Sequence, residues 1–277
     1  MSQDDPTGNK SDTPGGGEDT GLDLPAEMFR TGDKVEETLI EMQKLQLGGT
    51  RFSEAKFTEI DGMAFFEGDI VLTENAQEAR EASDQGRGIG IVGERFRWPD
   101  GVVAYVTVEA LRPTVQAAID HWESRTPFRF VERTNEAAYI SFEQQVGCWS
   151  SVGRQGTKQI ISLGGGCGLG PAIHEIGHAL GLWHEQSRSD RDDFIEVVME
   201  NVRAEARHNF DKHVQDGTDL GDYDFDSIMH YPAKAFTSNG QPTIRTKGGQ
   251  AIGQRNGLSA GDINAIKLMY PDLNWPA

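Results

Sequence analysis

HEIGHALGLWH, residues 174–184, places three imidazoles and a carboxylate within eleven residues. Upstream, Pro171 sits where a helix tolerates a missing amide proton, and Ile173, Ile176, Ala179 and Leu180 recur behind it at helical spacing. The spacing predicts a helix from Pro171 to Leu180. On such a helix His174 and His178 stand one turn apart on one face, so both rings can reach a single tetrahedral ion. Glu175 is rotated from His174 by about 100°, which sets it beside the ion instead of on it. A straight helix would carry His184 past the ion. Gly181 can adopt the left-handed conformation that ends a helix and turns the chain back, bringing His184 in as a third ligand.

Three neutral imidazoles leave one position on a zinc ion open to water, whose pKa falls from ~15.7 to about 7 on zinc in favourable sites. Glu175 then has the position of a general base for hydrolysis of a carbonyl substrate. Two other readings compete. The histidines could be satisfied residues of a buried helix, although the glycine and the third histidine extend the two-histidine motif beyond what chance supplies. The zinc site could also be closed and structural, but such sites usually recruit cysteines, and Cys148 and Cys167 both precede the helix. Ligand type favours a single catalytic Zn2+.

The pattern continues as HEQSRSDRD from His184 to Asp192 and returns as SIMHYP from Ser227 to Pro232. Here the chain resembles the astacin family of metzincin metalloendopeptidases. The resemblance runs from about Arg97 to Tyr270, through WPDGVVAYV near Trp98, GCWSSVG around Cys148, YDFDSIMHY from Tyr223 and IGQRNGLSAGDI from Ile252. It implies that Met229 floors the metal site in the turn that gives metzincins their name. It implies further that Tyr231 binds zinc in the resting enzyme and swings away to hydrogen-bond the tetrahedral intermediate. His230, between them, stays off the metal in the family pattern. Glu185 falls at the position that pairs with the new amino terminus after precursor cleavage, a solvated carboxylate being the alternative. Cys148 and Cys167 fall on positions that form a disulfide; two buried free thiols are the alternative. His121, His208 and His213 lie in polar stretches without metal spacing and read as surface residues.

The front of the chain differs in character. Residues 1–87 carry 20 acidic and 8 basic side chains, a net of −12, against a net of −6 for residues 88–277, which divides the chain at that point. Residues 1–22 are rich in Asp, Gly, Thr and Pro and almost without large apolar groups, which predicts an acidic disordered tail. Val35, Leu39, Met42 and Leu45 predict a short amphipathic helix over 33–47, stopped by Gly48 and Gly49. FFEGDIVL at 65–72 then resembles the astacin propeptide signature, in which the aspartate, here Asp69, coordinates zinc and expels the catalytic water. An oxygen ligand can fill the open position at ~2.0–2.2 Å, and Gly68 lets backbone approach the cleft. No cysteine precedes Cys148, so a thiolate cannot serve as the block. Residues 23–87 thus read as an inhibitory propeptide and 88–277 as the catalytic domain, with Arg80 and Arg87 as accessible cleavage points.

For architecture, 102–108, 128–132, 139–143 and 159–163 read as strands. Residues 111–124, 171–180, 193–213 and 259–269 read as helices. The expectation is an α+β, zincin/metzincin-like fold: a mixed twisted sheet with the active-site helix over a cleft, an irregular C-terminal subdomain carrying the Met-turn, and a small N-terminal prosegment. The cysteine pair suits an oxidising exterior, so the protein is expected to be secreted. MSQDDPTGNK has neither the basic start nor the apolar core of a leader, which implies a leader outside this numbering or another export route. No apolar run approaches the ~20 residues of a membrane span. A net charge of −18 without a basic patch argues against nucleic acid. The expected partners are protein or peptide substrates, the chain's own propeptide and an activating protease. A zinc amidase, or a silent binding protein keeping the fold, would be the alternatives; silence would require loss of Glu175 or a histidine, and all are present.

Overall fold

The computed structural model describes residues 39–42, 45–47, 50–52, 55–73, 94–212 and 218–276. The expected tail, the cleavage points Arg80 and Arg87, and His213 lie outside them. The strands are β1 (Leu39–Met42), β2 (Leu45–Leu47), β3 (Thr50–Phe52), β4 (Ala55–Ile60), β5 (Met63–Phe66), β6 (Ile70–Thr73), β7 (Val102–Thr107), β8 (Arg129–Glu132), β9 (Tyr139–Glu143), β10 (Cys148–Ser150), β11 (Lys158–Leu163), β12 (Ile195–Val197) and β13 (Ile244–Thr246). The helices are α1 (Arg112–Glu123), α2 (Leu169–Leu180) and α3 (Ala260–Met269).

Nine strands form one mixed sheet in the order β1-β4-β5-β6-β10-β11-β9-β7-β8. The five strands from β7 to β11 belong to the body, and the last four of them in the sheet run parallel, while β10 is antiparallel to β11. The front segment adds β1, β4, β5 and β6 to the same sheet through a parallel pairing of Ile70 with Ser150. β11, with both neighbours occupied and one face under α2, is buried from Gln159 to Leu163, as an interior strand requires.

Helix α1 starts with Pro113 in its first turn and buries Val115, Ala118, Ile119 and Trp122, an i, i+3, i+4, i+7 stripe. That stripe packs on α2: the Trp122 indole donates to the Ile173 carbonyl at 3.1 Å. The far end of α2 is tied by the Trp98 indole to Ala179 at 2.9 Å and by the Tyr270 hydroxyl to Leu180 at 2.8 Å. A disulfide joins Cys148 at the start of β10 to Cys167 just before α2, so neither thiol is free.

Two expected helices are corrected. Residues 39–42 and 45–47 are strands, not a helix. Four apolar residues at helical spacing define too short a helix to stand alone, whereas β1 finds backbone partners along β4. The expected run from Asp193 to His213 is broken as well. The chain passes through a 3₁₀ turn at Arg191–Asp193, strand β12 paired with β13, and a 3₁₀ stretch at Ala204–Phe210. β-Branched Ile195 and Val197 favour the strand, and Ile195, Val202, Phe210, Tyr223, Tyr231, Phe236 and Ile244 bury a second apolar core that the helix would have dispersed.

Candidate metal centre

Helix α2 ends at Gly181, whose φ of +117° is the left-handed conformation expected there. The amides of Gly181 and Leu182 both return to the Gly177 carbonyl, at 3.1 and 3.0 Å. The turn sends His184 back toward His174 and His178. The three ring centroids are 4.6, 4.6 and 5.3 Å apart, and all three side chains are buried.

The outer ring nitrogens set the tautomers. His174 Nδ1 donates to the Ile228 carbonyl at 2.8 Å, His178 Nδ1 to the Leu182 carbonyl at 2.8 Å, and His184 Nδ1 to the Glu67 carboxylate at 2.7 Å. A nitrogen that donates outward leaves the lone pair of its neighbour, Nε2, for the interior. His178 Nε2 and His184 Nε2 are buried with no hydrogen-bond partner. Asp69 supplies the fourth corner: one oxygen lies 3.3 Å from His174 Nε2, the other 3.2 Å from His184 Nε2 and 3.9 Å from His178 Nε2. The four ligand atoms lie within 4.8 Å of one another, and among the described residues this is the one such group able to hold a metal ion. Three imidazoles and a carboxylate, buried and with His178 Nε2, His184 Nε2 and one Asp69 oxygen unpaired, fit zinc in type and number.

Electrostatics follow the crowding of charge. Burial opposes ionisation of Asp69, but the His184, His174 and His178 rings outweigh it and hold the carboxyl far below the usual range. Burial pulls His174 down to about 4 and His178 well below its ordinary value. Burial also works against a charged His184, yet Asp69 and Glu67 lift it to about 9. Glu175, buried on the same helix with Oε2 unpartnered, is raised well above the normal range by burial and then by the charge of Asp69.

Around this centre Met229 lies buried with its sulfur under Gly177, where a Cβ would approach it to 2.8 Å. Tyr231 is fully buried with its ring centroid 4.6 Å from that of His184, and its hydroxyl donates to the Glu67 carbonyl. His230 stays outside the cluster, accepting from the Tyr223 hydroxyl at 2.8 Å. Glu185 is not a freely solvated carboxylate: it accepts from the Asp224 amide at 2.8 Å, and burial pushes it up to about 8. Two histidines that read as surface residues are corrected. His208 is buried against Thr58 of the front segment, at 3.0 Å, because the second core closes around Phe210. His121 is half-buried and accepts from the Leu258 amide at 3.0 Å.

The sequence reading misses Glu67, Ser187, Arg255 and Asp262. Glu67 stands beside Asp69 in a turn where it and Gly68 both take positive φ, +48° and +81°. That turn aims both carboxylates inward, and Ser187 Oγ donates to the second oxygen of Glu67. The backbone is fastened too: the Ser150 amide donates to the Asp69 carbonyl at 2.9 Å. Arg255 is half-buried beside the cluster, its guanidinium donating to the His230 carbonyl at 3.1 Å. Asp262 accepts from Ser227 Oγ and the Ile228 amide at 2.7 and 3.0 Å, bracing the turn that leads to Met229.

A profile of the astacin peptidase family matches residues 91–271. Blastula protease 10 from Paracentrotus lividus is 40% identical over 228 residues, covering 74% of this chain. Nematocyst expressed protein 6 from Nematostella vectensis is 38% identical, covering 76% of this chain and 78% of its own length. The chain spans 38% of blastula protease 10 and 37% of Protein SpAN from Strongylocentrotus purpuratus. Among solved structures, high choriolytic enzyme 1 of Oryzias latipes, a hatching enzyme zinc-protease, superposes with a TM-score of 0.59 at 38% identity, over 63% of this chain and 92% of that one. With the active-site helix, the mixed sheet and these matches in agreement, the chain has the metzincin fold and belongs to the astacin family of zinc metalloendopeptidases.

Proposed function

We propose that this chain is the zymogen of a secreted endopeptidase, with residues 88–277 as the enzyme, residues 23–87 as its inhibitory propeptide and residues 1–22 as an acidic tail. The observation that carries the reading is Asp69, whose carboxylate occupies the fourth corner of the histidine cluster while its carbonyl pairs with Ser150 of strand β10. His174, His178 and His184 would hold a zinc ion, which would supply Lewis-acid polarisation of a substrate carbonyl and lower the pKa of water. Glu175 takes the proton of the attacking water and passes it to the leaving amine. Tyr231, released from the Glu67 carbonyl, donates to the oxyanion of the tetrahedral intermediate. Met229 floors the site under Gly177, and Glu185 receives the new amino terminus. Cleavage near Arg87 by an activating protease frees strand β10 to bind a protein or peptide substrate by its backbone. The Cys148–Cys167 disulfide supports an oxidising compartment, and no helix among the described residues is long and apolar enough to cross a membrane.

Casein digestion tests this reading. The uncut chain should be silent, the chain cut near Arg87 active, and a chelator should abolish that activity. Asp69→Ala should give the uncut chain measurable activity. An uncut Asp69→Ala chain as silent as the wild type would overturn the role of Asp69, and a cut chain without peptidase activity would overturn the enzyme.

A further inference from the structure

Resting on the reading of residues 23–87 as a removable segment, we infer that Glu67 is a positioning residue for the metal site, which makes the uncut chain hold zinc more tightly than the cut enzyme. The three histidines are supported unequally. His174 and His178 give their outer nitrogens to the backbone carbonyls of Ile228 and Leu182, both in the catalytic body. His184 gives its outer nitrogen to a carboxylate, at 2.7 Å, and that carboxylate belongs to the front segment.

The placement is over-determined. Glu67 has no exposed surface. Its two carboxylate oxygens face His184 Nδ1 and Ser187 Oγ, and its carbonyl accepts from the Tyr231 hydroxyl. A left-handed backbone at Glu67, which a non-glycine residue adopts at a cost, turns the side chain inward. A carboxylate on the outer nitrogen of a ligating histidine fixes the ring and raises its donor strength, and losing such a partner typically weakens metal binding ~10–100-fold. Cleavage and departure of the segment therefore remove two carboxylates: Asp69, which blocks the site, and Glu67, which strengthens its third ligand. The segment both silences the enzyme and favours its loading with metal before activation.

Zinc affinity, by competition with a chromophoric chelator, and the visible spectrum of the cobalt-substituted protein would be measured on the uncut chain. The variants are Glu67→Ala and Glu67→Gln, each alone and combined with Asp69→Asn, which preserves the shape of the latch. Glu67→Ala should weaken zinc binding by about tenfold or more and shift the cobalt bands in both backgrounds, with Glu67→Gln, which keeps an acceptor, losing less. After cleavage near Arg87 all variants yield the same polypeptide and should bind zinc alike, more weakly than the uncut wild type; this excludes misfolding as the cause. Unchanged affinity in both variants would overturn the inference. A loss seen only when Asp69 is intact would also overturn it, since Glu67 would then act by seating Asp69. Failure of the latch reading is separately visible, as an uncut Asp69→Ala chain that stays silent on casein.

Discussion

Asp262 accepts a hydrogen bond from the Ile228 amide at 3.0 Å, and the carbonyl of Ile228 accepts from His174 at 2.8 Å. Helix α3 is thereby coupled to the metal centre through one residue. The same carboxylate accepts from Ser227 Oγ and the Ser259 amide, closing a capping box at the start of α3. Asp262→Ala would leave the buried Ser227 hydroxyl and Ile228 amide unpaired, each worth ~1–3 kcal/mol, together with the part-buried Ser259 amide. The expected result is a loss of at least a few kcal/mol in denaturant unfolding together with weaker zinc retention. Retention unaltered beside a lower midpoint would show that the brace is structural alone.

In the proposed scheme Glu175 moves protons and does not bind the ion, so its charge should matter for rate and little for metal content. Glu175→Gln in the cut enzyme should retain one zinc per chain by metal analysis. Its kcat on a peptide substrate should fall by about 10²–10⁴-fold, the usual worth of a positioned base. Full activity in a zinc-loaded Gln variant would remove Glu175 from the mechanism.

Tyr231 has two separable roles in the proposed scheme, one on each side of activation. Tyr231→Phe removes the hydroxyl with little change of volume. In the uncut chain the bond to the Glu67 carbonyl is lost, which should loosen the segment by ~1 kcal/mol and quicken its proteolytic removal several-fold. In the cut enzyme the loss of an oxyanion donor should lower kcat by about 10²–10³-fold with KM nearly constant. A KM effect without a kcat effect would assign Tyr231 to substrate binding instead.

Legibility in the sequence follows the range of the forces involved. The helix around His174 and His178, its end at Gly181 and the strands over 102–107 and 139–143 all follow from local period and one permissive glycine. Residues 39–47 mislead because a short apolar spacing fits helix or strand alike, and the partner strand β4, not local preference, decides. His208 reads as exposed because its neighbours in sequence are polar, whereas a contact with Thr58, 150 residues away, buries it. Glu67 escapes notice for a related reason. Two left-handed residues in succession rotate its side chain to the metal side, and no spacing rule reports that. Asp262 braces a turn 34 residues distant, which only the tertiary structure reveals.

Gly170, in the first turn of helix α2, lies where the helix crosses the backbone of Arg255. A Cβ at this position would come within 1.9 Å of the Arg255 carbonyl oxygen and 2.7 Å of its Cβ, so neither a rotamer change nor a flexible tip can relieve the overlap. Gly177, further along, would meet the Met229 sulfur at 2.8 Å, and an unbranched side chain can yield. Gly170→Ala should therefore cost more than the ~1–3 kcal/mol typical of an overpacked core, enough to deplete soluble protein. Gly177→Ala should fold with a smaller loss and reveal itself in zinc retention, because the displaced methionine packs against the helix that carries His174 and His178. Thermal unfolding and metal content of the two variants, compared side by side, check both halves. If Gly170→Ala is as stable as the wild type, α2 does not cross Arg255 at the stated distance.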